Sequence, residues 1–248
     1  MPEKSSVSSE KSEKIVLDRV KDRLIDNVFR VEHAEQMGKV FKEKFNYFYE
    51  NLVYKALDLG KKKGTCLDLG TPFGLCAINL AKQDYDFGIV SLQDSQKLVS
   101  LSRSFAEDDV IENKIEWTLG RPENIPFAEN SFDMIVSNFD LHHWEDPARV
   151  FGEIERVLKG NGVLVIGEVR RDSFRVMIPA LKVFSYAMKN EKIYDNMKFW
   201  FNSSYTRSEI TKLLMDSPLK DSHSAKDMQF LYVMKCPKEK HRVIAKFS

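Results

Sequence analysis

Thr65-Cys66-Leu67-Asp68-Leu69-Gly70-Thr71-Pro72-Phe73-Gly74 decides the fold. Its first half is an apolar run typical of a buried strand. The chain then breaks at a glycine turn and re-enters as a helix predicted over 75–82. Such a strand–turn–helix unit is how open α/β sheets present backbone N–H groups and a helix N-terminus to a nucleotide-like ligand. The position between the two glycines is Pro72, which offers no N–H and fixes its own φ, so this turn is stiffer and one donor poorer than a glycine there would make it.

Outward from the turn, strands alternate with helices. Strands are predicted over 86–92, 114–119, 132–138 and 163–169, with a helix over 95–105 between the first two. Asp146-Pro147 opens another helix, with Asp as N-cap, Pro in the first turn and a stripe of Val150, Phe151, Ile154, Val157 and Leu158. Gly160-Asn161-Gly162 then turns the chain into the 163–169 strand. Near-continuous apolar strands separated by helices specify a mostly parallel sheet covered on both faces. The expected fold is α/β, a doubly wound, mostly parallel seven-stranded sheet. The last two strands are placed near 220–224 and 229–235. Thr206 with Glu209 three residues later forms a capping box for a short helix before them.

Apolar residues upstream recur at helical spacing, over 15–28 and again from Met37 to Ala56 in one helix that stops near Gly60. Lys61-Lys62-Lys63 follows, and cations after a helix C-terminus need no nucleic-acid explanation. The organisation is read as a flexible tail over 1–14, a helical extension over 15–60, the main domain over 61–236 with lid helices at 173–203, and a basic tail over 237–248.

The chain has 248 residues, and its 38 Lys and Arg nearly cancel 37 Asp and Glu, which argues against a protein that coats DNA or RNA. Cys66, Cys76 and Cys236 are widely spaced, in apolar surroundings and without histidine at ligand spacing. They are expected as buried free thiols, with no metal site. No apolar run reaches the ~20 residues of a membrane span, and the Ser/Lys/Glu-rich start lacks the apolar core of a signal peptide. A cytoplasmic protein with a small-molecule substrate is the expectation; oligomeric state is left open.

Read together, four motifs resemble those of the class I S-adenosylmethionine-dependent methyltransferases, over about 64–169 and weakly onward to 235. Leu67-Asp68-Leu69-Gly70-Thr71-Pro72-Phe73-Gly74 is similar to that family's L-D-x-G-x-G-x-G. Asn124-Ile125-Pro126-Phe127 with Ser131-Phe132-Asp133 resembles its P-F and S-F-D pair. Leu141-His142-His143-Trp144 resembles the loop after its fourth strand, and Glu153 to Gly162 its E-i-x-R-V-L-K-P-G-G.

The resemblance implies S-adenosyl-L-methionine as cofactor, held by Asp68, Gly70, Thr71, Gly74, Gln93 or Asp94, Arg121, Glu123 and Asn138. It also marks three departures. Pro72 replaces a glycine, Gln93 stands in a slot usually acidic, and Arg121 occupies a place where an acid often meets the adenine amino group. Arginine cannot accept that N–H, but it could pair with an anionic ligand. The implied reaction is methyl transfer to a small, partly apolar acceptor. His142 or His143, beyond the fourth strand, is the candidate base, with Asp140 and Glu168 behind them. The second reading is a non-catalytic or repurposed binding or regulatory protein on the same fold. An aromatic-rich stretch (Phe174, Phe184, Tyr186, Phe199, Trp200, Phe201 and Tyr205) falls where the family places a substrate lid, and Arg170-Arg171 could meet an anionic acceptor.

Overall fold

The computed structural model describes residues 31–173, 200–227 and 230–236, with isolated positions 182, 186, 195 and 198. The predicted helix over 15–28, both tails and most of the lid lie outside the described residues.

Helices α1 (Val31–Lys44) and α2 (Asn46–Asp58) lead into β1 (Lys63–Leu69), α3 (Leu75–Ala81), β2 (Asp86–Gln93), α4 (Gln96–Glu107) and β3 (Ile115–Leu119). Then come β4 (Phe132–Asn138), α5 (Pro147–Val157), β5 (Leu158–Val169), α6 (Arg207–Met215), β6 (His223–Asp227) and β7 (Phe230–Lys235). The seven strands lie in the order β3-β2-β1-β4-β5-β7-β6. The first five are parallel, and β7 runs antiparallel to both β5 and β6. Strand order reverses between β1 and β4, the switch point at which open α/β sheets leave a crevice.

The period-two rule divides each strand between two cores. Cys66, Met134, Val136, Val163 and Val165 face the layer built by α1 to α4. Leu67, Leu69, Ile135, Leu164 and Ile166 face the layer built by α5 and α6. Asp68, on the same face as Cys66, is therefore carried into the interior. Helix starts follow their sequence signals. Ser95 and Asp146 cap α4 and α5 by accepting the Leu98 and Arg149 N–H groups, and Thr206 with Glu209 closes a reciprocal capping box on α6.

Three expectations are corrected. The single helix from Met37 to Ala56 is two helices, because Phe45 leaves helical geometry at φ −116°, ψ 4°. Its ring packs on Phe41 and Phe48 at the break, and Asn46 restarts the helix with its amide paired reciprocally to Asn79. Gly160-Asn161-Gly162 is not a turn before a strand but part of β5, where the pairing jumps from Phe132–Leu158 to Met134–Val163 and absorbs the extra residues as a bulge. The final hairpin begins later than expected, because Lys220 and Ser222 donate to Ser217 and Leu219 carbonyls in a turn. The helices preceding the sheet share its core through Phe41, Tyr49, Leu52 and Ala56. All three cysteines are buried free thiols. No helix among the described residues is long and apolar enough to cross a membrane.

Candidate functional site

The glycine turn is clamped from both neighbouring strands. Gly70, at φ +66°, donates its N–H to Leu92 of β2. Gln93, the last residue of β2, donates its side-chain amide to the Thr71 carbonyl at 3.1 Å and to the Ser91 hydroxyl at 3.2 Å. From β4, the Asn138 N–H donates to the Thr71 hydroxyl at 3.1 Å. Pro72 starts a single turn of tight helix, and Phe73 and Gly74 follow with left-handed backbone, φ 60° and 62°.

Asp68 lies beneath this turn, fully buried, with Oδ2 accepting the Ala77 N–H at 2.9 Å. Burial pushes its carboxyl up to about 7, against the opposing pull of hydrogen bonds from Thr71, Ala77 and Ser91. An unfolded aspartate titrates near ~3.9. The folded state therefore holds a proton that the unfolded chain releases, so this stabilisation is complete below ~4 and is lost as pH rises through about 7. Asp68→Asn removes the buried charge and keeps an oxygen for Ala77. Its stability advantage over wild type should be larger at pH 8 than at pH 5, by an amount on the order of a few kcal/mol. Urea midpoints across that range measure it, and parallel pH curves for the two proteins would contradict it.

Two adjoining clefts open at the carboxyl edge of the sheet. The first has about 630 Å³ of space, counting its open mouth, and runs from Gly70 and Pro72 past Gln93, Asp94 and Leu98 to the 120–123 edge. Asp140, His143, Trp144 and Glu145 form its far wall. The second, about 550 Å³ on the same measure, is almost wholly apolar. Among the described residues of its wall, Phe41, Phe45 and Phe48 come from α1, the helix break and α2, Phe139 follows β4, Val169 ends β5, and Trp200 and Phe201 lie beside them. Pro72 and His143 line both clefts and are the partition between them.

The predicted site residues divide accordingly. Gly70, Gln93, Asp94, Arg121, Glu123 and His143 line the first cleft, and His142 with His143 lines the second. Asp68, Thr71, Gly74 and Asn138 line neither; they hold the turn from behind. Gly74 is small for a packing reason: a Cβ there would sit 2.7 Å from the Trp117 ring.

Arg121 is paired within the protein at the rim of the first cleft. Its guanidinium bonds Glu145 at 2.8 Å and lies 3.6 Å from Glu123. Arg170 and Arg171 pair within the protein too, with Asp172 and Glu209, and Arg171 is buried rather than solvated. Asp133, on the opposite edge, bridges Thr65, Lys61 and Lys159 and is structural.

Sequence reasoning ranked Asp140 only as a reserve base. The structure buries it against Gly70, with Oδ2 accepting the Trp144 indole N–H at 2.6 Å. Burial raises its carboxyl well above the usual range, the indole bond opposes this, and the nearby acids Asp94, Glu168 and Asp68 push it further up. Of the aromatic wall of the second cleft, Trp200 and Phe201 fall in the stretch expected as a lid, whereas Phe41, Phe45, Phe48 and Phe139 were missed as site residues. The signal for the missed phenylalanines was the spacing of Phe41, Phe45 and Phe48, which also fits an ordinary helix core face.

A switch-point crevice beneath a glycine turn, in a 3-2-1-4-5-7-6 sheet with an antiparallel seventh strand, defines an α/β protein of the nucleoside-cofactor-binding class. Residues 67–166 match the methyltransferase domain family. An uncharacterized methyltransferase, YcgJ, of Bacillus subtilis is 32% identical over 96 residues, 39% of this chain and 37% of its own. The demethylmenaquinone methyltransferase of Thermotoga maritima is 34% identical over 103 residues, 42% of each chain. Among solved structures, a candidate S-adenosyl-L-methionine-dependent methyltransferase from Methanococcus maripaludis superposes with a TM-score of 0.64 at 26% identity, covering 83% of this chain and 92% of that one. Residues 67–166 are thus a methyltransferase-family domain, and the chain shares its fold with a candidate S-adenosyl-L-methionine-dependent methyltransferase. It spans about two fifths of the length of the first curated relatives it matches.

Proposed function

We propose that this protein transfers a methyl group from S-adenosyl-L-methionine to a small, partly apolar acceptor. The observation that carries the reading is the pair of clefts, one mixed in polarity and one apolar, that meet at Pro72 and His143.

The first cleft fits the cofactor's chemistry. That molecule carries no phosphate, so it needs close backbone approach, an acceptor for ribose hydroxyls and an apolar slot for adenine. Gly70 supplies the approach, since any Cβ there would collide with Asp140. Gly120 is similarly tight, with Leu92 and Pro126 pressed against it. Gln93 has its NH2 turned inward to Thr71 and Ser91, so its carbonyl oxygen is the atom left for a hydroxyl. Asp94 lies beside it on the same rim, and Leu98 with Pro122 offers apolar walls. Two of the three departures from the family pattern thus have local accommodations: Gln93 is oriented as an acceptor, and Arg121 is neutralised by two glutamates.

Bound there, S-adenosyl-L-methionine supplies a methyl group already activated on a sulfonium. The protein's remaining tasks are alignment, exclusion of water and, for an acceptor with a proton to lose, a base. Phe41, Phe45, Phe48 and Phe139 keep the second cleft dry; His142 lines it, and His143 stands where an acceptor would meet the first.

Thermal shift and calorimetry with S-adenosyl-L-methionine and S-adenosyl-L-homocysteine test the proposal. Ligand at about a hundred times Kd should stabilise the folded protein by ~2.7 kcal/mol. No stabilisation by either ligand at millimolar concentration would leave the binding or regulatory reading in its place.

A further inference from the structure

The apolar cleft has an unusual inner wall. His142 follows β4 and Glu168 ends β5, and the two strands are neighbours in register, Asn138 beside Gly167. This brings Glu168 Oε2 to 2.8 Å from His142 Nδ1 and to 3.2 Å from the His142 backbone N–H, which donates to it. Oε1 accepts the Val169 N–H at 2.8 Å. Both side chains are buried, 2% and 1% exposed. Glu168 lines neither cleft, whereas His142 lines the apolar one. With Nδ1 given to Glu168, Nε2 is the ring nitrogen able to exchange a proton with a molecule in that cleft.

Among the described residues, no Asp, Glu, Lys or Arg lines the apolar cleft; those walls are aromatic and aliphatic apart from His142 and His143. A cationic amine or a carboxylate placed against these walls would meet no counter-charge from them, at high desolvation cost. An uncharged aromatic molecule with one weakly acidic hydroxyl would avoid that cost, and it could give up its proton once inside.

We propose that Glu168 and His142 form a buried proton-accepting pair serving this cleft, and that the methyl acceptor is an aromatic compound carrying one ionisable hydroxyl, a phenol or naphthol. The inference rests on the methyltransferase reading above. In the step assigned to the pair, the acceptor's O–H bond breaks, its electron pair stays on oxygen, and the proton moves to His142 Nε2. The resulting imidazolium is held beside Glu168. His142 is the catalytic residue, and Glu168 is the positioning residue that fixes its tautomer and ring. Other ionisable groups around the pair are His143 on the same turn, Asp140 before it, and Tyr49 and Asp68 from the helix and strand behind. Of these, only His143 also reaches the apolar cleft.

The test uses 4-nitrophenol, whose phenolate is yellow, and 1-naphthol. His142→Asn keeps a nitrogen for Glu168 in the place of Nδ1 and deletes Nε2, so it separates the base from the structural contact. Bound 4-nitrophenol should ionise at least about one pH unit lower in the wild type than in His142→Asn. With 1-naphthol and S-adenosyl-L-methionine, His142→Asn should lower kcat about 100-fold or more while KM changes less than about threefold. Glu168→Gln should lower kcat less and shift the limb of its pH profile that reports the base.

Equal ionisation of the bound dye in wild type and His142→Asn would overturn the inference, as would an unchanged kcat or failure of both phenols to bind. Calorimetry with S-adenosyl-L-methionine on the same proteins keeps the two readings apart. Cofactor binding without the dye effect defeats only the acceptor assignment; loss of cofactor binding in the wild type defeats the methyltransferase reading itself.

Discussion

Gly70→Ala is expected to weaken binding of S-adenosyl-L-methionine by about 100-fold, with a loss of folding stability of ~2–4 kcal/mol. Two physical terms act together. The backbone at position 70 has φ +66°, a conformation that costs an L-residue ~1–2 kcal/mol. The new methyl group would also point into the Asp140 carboxylate. Asp140 cannot move aside without giving up the Trp144 indole N–H, held at 2.6 Å. Both Asp140 and Trp144 belong to the wall of the proposed cofactor cleft. The substitution therefore changes the cleft's shape even in molecules that stay folded. Calorimetric titration with cofactor and a urea curve measure the two effects separately. In an Asp140→Ala background the steric part disappears, so the double variant should bind better than the two single losses predict. Strict additivity would mean that the Gly70–Asp140 approach is not what fixes glycine there.

Phe73→Ala should be among the most destabilising single changes in the chain, at roughly 3–5 kcal/mol. Total domain stabilities of about 5–15 kcal/mol set the scale of that loss. Phe73 keeps a left-handed backbone, φ 60°, which a bulky side chain adopts only when something outweighs the strain. Its ring is fully buried, 6.0 Å from Phe41 and 5.9 Å from Phe105 by ring centres. It therefore pins the glycine turn to α1 on one side and to α4 on the other. Deleting it leaves the backbone strain and removes the compensation. Phe41 also walls the apolar cleft, so loosening this contact should raise KM for an apolar acceptor in any fraction that stays folded. Phe73→Leu, which refills most of the space, should recover more than half of the lost stability in a denaturant midpoint comparison. A cost below about 1 kcal/mol for the alanine variant would show that the turn holds its shape without the ring.

Much of the sheet was legible because its signals are local. Buried parallel strands are written as apolar runs, and Ser95, Asp146 and Thr206 announce helix starts through their own side chains. Signals failed where a distant partner decided the outcome. The break at Phe45 is not punctuated by Gly or Pro; the aromatic contacts around it and the Asn46–Asn79 pair accompany it. Arg121 stands out in the sequence as a departure suited to an anion, and its pairing with Glu145, from the loop beyond β4, exists only in the fold. Asp68 looked like a ligand contact because its motif says so, yet alternation along β1 places it behind the turn.

The sequence by itself determined the doubly wound sheet, the glycine turn and its place among methyltransferase-like motifs, since each rests on residues close together in the chain. Only the tertiary structure decided which motif residues face a cleft and which hold it from behind. It also decided that Pro72 is a wall between two clefts, not merely a lost donor, and that Glu168 reaches His142. Those relations join residues from different strands and helices, and pairing register and side-chain packing bring them together only once the sheet has formed.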